Sequence, residues 1–170
     1  MDQDLRGKVC VVTGATKGIG KGIALQLGKW TKSEKWVGWC NSIFKGQHGA
    51  KVYITGRSSE LLEDCRQEIK SRGGQCVPVP MDHNDDNAVE ALFVKVKLEN
   101  NGKLDVLVNN AYQGVSMIFD MLKEKKKFYD EDPAKLWDTI NGVGLRNHFL
   151  CTSHASKWAN EFCGLKLVNN

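Results

Sequence analysis

What most constrains the fold of this chain is a glycine-spaced turn, Thr13-Gly14-Ala15-Thr16-Lys17-Gly18-Ile19-Gly20, set between an apolar run and a helical pattern. The run before it, Lys8 to Thr13 (KVCVVT), is β-branched without polar alternation and reads as a strand buried on both faces. After it, Ile19, Ile23, Ala24 and Leu27 recur at three- and four-residue spacing, so they share one face of a helix over Gly18 to Gly28. A strand that turns this abruptly into a helix needs glycine at set places. Gly14 permits the tight turn, Gly18 lets a ligand reach the backbone with no Cβ in the way, and Gly20 lets the helix sit close on the strand. The first N–H groups of such a helix lack intrahelical acceptors and carry the positive end of its dipole, so the turn suits an anion such as a pyrophosphate.

The alternation of strand and helix continues. Lys51 to Thr55 (KVYIT) is a second strand, leading through Gly56-Arg57 to a helix from about Ser59 to Arg72 with a stripe of Leu61, Leu62, Cys65 and Ile69, stopped by Gly73-Gly74. Gln75 to Val79 is a third strand, and Pro78 within it donates no ladder hydrogen bond, which assigns it to a sheet edge. Asn84 to Asn101 is helical with Val89, Leu92, Phe93 and Val96 inward, and Val106-Leu107-Val108 is a fourth strand running into Asn109-Asn110-Ala111. Right-handed crossovers turn this order into an α/β fold, a Rossmann-type three-layer parallel sheet, its N-terminal part only, with strands in the order 3-2-1-4.

One segment breaks the pattern. Between Gly28 and Gly49 the chain supplies twenty residues, including Trp30, Trp36 and Trp39, with neither helical nor strand periodicity, where roughly 2 to 6 would suffice. Deleting 30–47 joins Leu27-Gly28-Lys29 to His48-Gly49-Ala50, a short helix exit into the second strand. Eighteen residues are a whole number of codons, which suggests a retained short intron or an alternative exon; the other reading is a surface loop whose tryptophans dock on a partner.

Composition limits the partners. The 24 Lys and Arg against 20 Asp and Glu leave a net charge of only +4 with the signs interspersed, which argues against nucleic acid or an anionic membrane as the main partner. The run Lys123 to Lys127, broken by Glu124, reads as a solvated loop. No apolar run approaches the ~20 residues of a transmembrane segment. Met1-Asp2-Gln3-Asp4 lacks the apolar core of a signal peptide, so the expected compartment is the cytoplasm. The six cysteines, Cys10, Cys40, Cys65, Cys76, Cys151 and Cys163, have no C-x-x-C pairing and read as reduced thiols. His148-x-x-Cys151-x-x-His154 could bring three zinc ligands near one helix stripe, but the preferred reading is a helix with two polar side chains and a half-buried thiol, and no metal is expected.

The end of the second strand speaks to the nucleotide. A ribose 2′-hydroxyl is usually held there by Asp or Glu, whereas a 2′-phosphate needs positive charge. This chain has Thr55-Gly56-Arg57 with no acid, and Lys17 lies in the glycine turn itself, so NADP(H) is preferred over NAD(H).

Taken together, T-G-x-x-x-G-I-G at Thr13 to Gly20, Asp82 after the third strand and Asn109-Asn110-Ala111 after the fourth resemble the short-chain dehydrogenases/reductases. The resemblance runs from Gly7 to about Lys157, interrupted by the insert, and makes 1–170 a partial dinucleotide-binding domain with an insert at 30–47 and an atypical tail at 158–170. It implies an NADP(H)-linked oxidoreductase acting on a small carbonyl or hydroxyl substrate, with Asp82 near the adenine and Asn109 and Ala111 lining the cofactor groove. The expected cofactor-binding set is Gly14, Thr16, Lys17, Gly18, Ile19, Gly20, Arg57, Asp82, Asn109 and Ala111. A strand-end turn held by side-chain to backbone hydrogen bonds is a second reading of Asn109 and Asn110, compatible with the first.

The chemistry that the resemblance implies is missing from these residues. The family's hydride transfer uses a Tyr acid/base with a Lys four residues later and a Ser that polarises the substrate oxygen. Here Tyr53, Tyr112 and Tyr129 are followed four residues on by Arg57, Ser116 and Pro133, so no catalytic residue is assigned. The family's helix pattern, counted from Trp137, places Gly144 where an Asn belongs and Asn147 where a glycine belongs, with Asn141 one helix turn earlier as a partial substitute. The expectation is a truncated form, inactive by itself, whose substrate is met only by a full-length product; the alternative is a non-catalytic nucleotide-binding fragment or a partner-binding splice product. Without a fifth strand, Val106-Leu107-Val108 would be an open apolar edge, giving low solubility or pairing with another chain. Substrate, reaction direction and oligomeric state are left open.

Overall fold

A computed structural model describes residues 5, 7–28, 49–159 and 166–169. They form one five-stranded sheet in which β1 (Val9–Val12), β2 (Lys51–Gly56), β3 (Gln75–Pro80), β4 (Val106–Asn109) and β5 (Lys166–Asn169) are all parallel, in the order β3-β2-β1-β4-β5. The helices between them are α1 (Gly18–Gly28), α2 (Ser59–Ser71), α3 (Asp86–Glu99), α4 (Gly114–Lys123), α5 (Pro133–Asn141) and α6 (His148–Ala159), the last two joined by a π-helical turn, Gly142–Asn147.

The period-2 geometry of the strands divides the core in two. Cys10 and Val12 of β1, Val52 and Ile54 of β2, and Val106 and Val108 of β4 face α1 and α2, where they meet Ala24, Leu27, Leu62, Cys65 and Ile69. Val9, Val11, Tyr53 and Leu107 face the other way, onto Val89, Leu92, Phe93 and Val96 of α3 and Cys151 and Ala155 of α6. Each fully buried Val, Leu or Ile in these clusters contributes roughly 1.5–3 kcal/mol. Leu61, expected in the α2 stripe, is 41% exposed. One residue along a helix is a turn of about 100°, which carries it off the Leu62, Cys65, Ile69 row.

Local chemistry sets the helix starts. The Ser58 hydroxyl caps α2 by accepting the Leu61 N–H at 3.3 Å, and the Asp85 carboxylate caps α3 by accepting from Asn87 and Ala88 at 2.9 and 3.3 Å. β3, with Pro78, lies at the sheet edge as its sequence requires.

The expectation of an open β4 edge is overturned. Lys166, Leu167, Val168 and Asn169 pair in register with Val106, Leu107, Val108 and Asn109, so β4 is interior and its backbone groups are satisfied on both sides. Val168 also rests against the α1/α2 core. The insert expected at 30–47 lies outside the described residues, as does most of the tail expected at 158–170.

Among the described residues no helix is long and apolar enough to cross a membrane. Cys10, Cys65, Cys76 and Cys151 are free thiols, and Cys40 and Cys163 lie outside the described residues.

Candidate functional site

Because the strands run the same way, their carboxyl ends share one edge of the sheet, and every residue of the expected cofactor set follows one of them. Gly14, Thr16, Lys17, Gly18, Ile19 and Gly20 follow β1, Arg57 follows β2, Asp82 follows β3, and Asn109 ends β4 with Ala111 two residues on. β1 has β2 on one side and β4 on the other, so the strand order reverses here, where open α/β sheets leave a crevice.

The turn from β1 to α1 is held from both neighbouring strands. Thr13 N–H donates to Val108 O at 3.0 Å and Ala15 N–H to Thr55 O at 2.9 Å. The buried Thr13 hydroxyl donates to Val108 O at 3.2 Å and accepts the N–H groups of Asn110 and Ala111 at 2.9 and 3.0 Å, which uses its one proton and both lone pairs. The Asn110 amide donates back to the carbonyls of Thr13 and Gly14 at 2.9 and 3.0 Å.

The glycines divide by what surrounds them. At Gly14, with φ +66°, a Cβ would lie 2.8 Å from Ala111 Cα. At Gly20 a Cβ would collide with the Asn110 amide and the Gly14 carbonyl. Those two are glycine because protein crowds them. Gly18 has φ +59° and, apart from its chain neighbours and its own helix backbone, no atom within 4 Å of where its Cβ would stand, so it combines a left-handed backbone with open space. The first turn of α1 carries no acid, and Lys17 and Arg57 are exposed. A helix start without negative charge, an open glycine and two cations fit the phosphates of a dinucleotide.

Two members of the expected set are engaged elsewhere in the fold. The Asp82 carboxylate accepts the backbone and side-chain N–H groups of Asn84, both at 3.0 Å. Asn109 is fully buried and donates to the Thr152 hydroxyl at 3.0 Å and the His148 carbonyl at 3.4 Å, tying the end of β4 to α6.

Thr55, His83 and Asn147 carry no sequence signal of a part in this site. The Thr55 hydroxyl accepts the Gly14 N–H at 3.2 Å and stands 2.7 Å from His83 Nε2. Burial pushes the His83 imidazole down to about 4, against a smaller upward pull from the Asn147 side chain and Asp82, so the ring is neutral near pH 7. His148 Nε2 donates to the Ala111 carbonyl at 2.8 Å, and its pKa is also lowered by burial. No local pattern signals these contacts, which join residues distant in the chain.

A π-helical turn follows α5. It displaces the residues after Asn141, exposes Leu145 and fully buries Asn147, whose Oδ1 accepts the Cys151 thiol at 3.5 Å. Asn141 donates to the Trp137 carbonyl of its own helix at 3.0 Å. Two of the tyrosines are engaged away from the turn, Tyr53 donating to Glu99 at 2.7 Å and accepting from Asn100 at 2.8 Å and Tyr129 packing edge-on against Phe128, while Tyr112, directly after Ala111, is exposed. His148, Cys151 and His154 diverge toward the Ala111 carbonyl, Asn147 and the Phe93 ring. Among the described residues no group of three His, Cys, Asp or Glu could hold a metal ion.

Known proteins of similar sequence and fold give the family. The family model described as short chain dehydrogenase matches residues 42–161. Dehydrogenase/reductase SDR family member 1 of Homo sapiens is 46% identical over 157 residues, covering 92% of this chain and 44% of that protein. Oxidoreductase UcpA of Salmonella typhimurium is 32% identical over 143 residues, 82% of this chain and 46% of its own length. The crystal structure of a metagenomic short-chain oxidoreductase in complex with NADP superposes with a TM-score of 0.72 at 28% identity, covering 97% of this chain and 62% of that one. The chain thus spans less than half the length of the curated relatives it matches.

Proposed function

The chain belongs to the short-chain dehydrogenase/reductase family, and from that premise we propose that these 170 residues form the dinucleotide-binding part of an oxidoreductase that takes NADP(H) in preference to NAD(H). The observation that carries this reading is Gly18, left-handed and open, at the start of an acid-free helix and at the reversal point of the sheet. The bound nicotinamide would supply or accept a hydride.

Each residue then has a binding task. The amides of Gly14 to Gly20 receive the pyrophosphate, Thr16 and Ile19 line the turn, and Lys17 and Arg57 meet the 2′-phosphate as exposed cations. Asp82 borders the adenine and Ala111 the groove over β4, while Asn109, buried behind it, holds the end of β4 to α6. Lys17 and Arg57 support NADP(H) because no carboxylate follows β2 to hold a free ribose hydroxyl.

Hydride transfer to a small carbonyl or hydroxyl substrate also needs a proton donor, and none of these tyrosines has a lysine four residues later. The 170 residues therefore bind nucleotide without turnover, and catalysis belongs to a longer chain. The segment 30–47 is an insert between α1 and β2, and the whole is one partial dinucleotide-binding domain. Titration of the purified chain with NADPH and NADH tests the binding reading: saturable binding with NADPH the tighter ligand supports it, and equal or absent binding refutes it. Following NADPH absorbance with aldehydes and ketones tests the rest, where reproducible enzyme-dependent loss would contradict the absence of turnover.

A further inference from the structure

His83 is 6% exposed, lies directly after Asp82 and stands 2.7 Å from the Thr55 hydroxyl, which in turn accepts the Gly14 N–H at 3.2 Å. We propose that His83 is a positioning residue of the nucleotide cradle, locking the Thr55 hydroxyl onto the Gly14 amide; the inference rests on the nucleotide reading above.

The donor arithmetic supports the assignment. The Thr55 hydroxyl has one proton and two lone pairs, and Gly14 fills one lone pair. The neutral imidazole either accepts the hydroxyl proton at Nε2 or donates into the remaining lone pair, and in both cases it takes away the rotor's freedom to turn from Gly14. Ala15 N–H is bound independently to the Thr55 carbonyl, so the side-chain link acts on Gly14 itself. Gly14 is the residue whose left-handed backbone opens the turn, and its orientation aims every amide after it.

The far side of the imidazole faces the π-helical turn. Asn147, fully buried there, raises the proton affinity of His83 against the larger effect of burial. His83 Nδ1 and Asn147 Nδ2 are both buried without a hydrogen-bond partner in the amide orientation shown; turning the Asn147 amide exchanges donor for acceptor. The neighbouring Arg146 grips Asp86 at the start of α3 through two 2.6 Å hydrogen bonds, which clamps the π turn to the segment that carries His83. The imidazole is thus a strut between that turn and the glycine loop.

The test uses the 170-residue chain with His83→Phe, which keeps an aromatic ring and removes both nitrogens, Thr55→Val and the double variant. Hydrogen exchange of the Gly14 amide, read by NMR without nucleotide, is the first readout, with the Ala15 amide as internal reference; the NADPH dissociation constant is the second. Each single variant is expected to speed Gly14 exchange relative to Ala15 and to weaken NADPH by about five- to tenfold, the loss of one hydrogen bond, with the double variant no weaker than the worse single. Unchanged Gly14 exchange in His83→Phe, or equal acceleration of Gly14 and Ala15 as in general destabilisation, overturns the proposal. If His83→Phe does not fold, His83→Gln, which retains a donor and an acceptor, is compared with His83→Leu on the same readouts, and equality of the two overturns it. A wild-type chain that binds no NADPH while Gly14 still responds to His83→Phe defeats the nucleotide reading and the cradle role with it, leaving the Thr55 link standing.

Discussion

The carbonyl of Leu27, near the end of α1, accepts the backbone N–H of Ala50 at 3.3 Å, immediately before β2. The end of α1 and the start of β2 are therefore adjacent. Joining Lys29 directly to His48 should preserve the sheet and raise stability by about 1–2 kcal/mol, from the smaller closure entropy of a shorter loop. Thermal unfolding of the deletion variant checks this, and a chain that no longer folds would show that 30–47 is required.

Asn110 occupies the volume that a side chain at Gly20 would need, with the Gly14 carbonyl on the other side. Gly20→Ala should cost roughly 1–3 kcal/mol by overpacking and should weaken NADPH binding by displacing the Asn110 bonds to the turn. Urea unfolding and nucleotide titration measure the two effects separately. An unperturbed stability would mean that the helix shifts away without penalty.

Arg57 is exposed after β2, and none of its described contacts is a salt bridge. Arg57→Ala should leave stability within about 0.5 kcal/mol of wild type. It should also weaken NADPH far more than NADH, narrowing their ratio. Equal loss for both nucleotides would place the guanidinium on a shared phosphate instead.

The pH dependence follows from His83. Its imidazole falls from 6.5 to about 4 in the fold because burial disfavours the cation, so the unfolded chain binds the proton more tightly. Stability is then unaffected above about pH 6.5, declines as pH falls from there toward 4, and levels below it, a loss of about 3 kcal/mol. His148, also lowered by burial, adds a loss of the same sign. The carboxylates of Asp86 and Glu99, held low by Arg146 and Lys95, contribute their own loss at more acid pH. Comparing urea midpoints of wild type and His83→Gln between pH 7.5 and 4 isolates the imidazole, and parallel curves would contradict this account.

Much of the fold was legible because its signals are local. The β-branched runs, the Gly18 to Gly28 face and Pro78 each determine structure through neighbours a few residues away, and β1, α1 and the edge position of β3 match them. β5 was not legible, since Lys166 to Asn169 is four residues of weak alternation whose strand character comes from pairing with β4. The burial of Asn147 was not legible either, since it follows from a π-helical turn that the residue spacing from Trp137 does not signal. The glycine turn was readable as a site because its chemistry resides in backbone shape, whereas the Thr55 and His83 contact depends on two strand ends meeting in space.

Nucleotide is expected to rest on the turn between β1 and α1. Titrating the isotopically labelled chain with NADPH and following its amide resonances tests it directly. Saturable shifts concentrated at Gly14 to Lys21, Arg57, Asp82 and Ala111 are predicted; saturable shifts confined to other surfaces, or none at all, would contradict it.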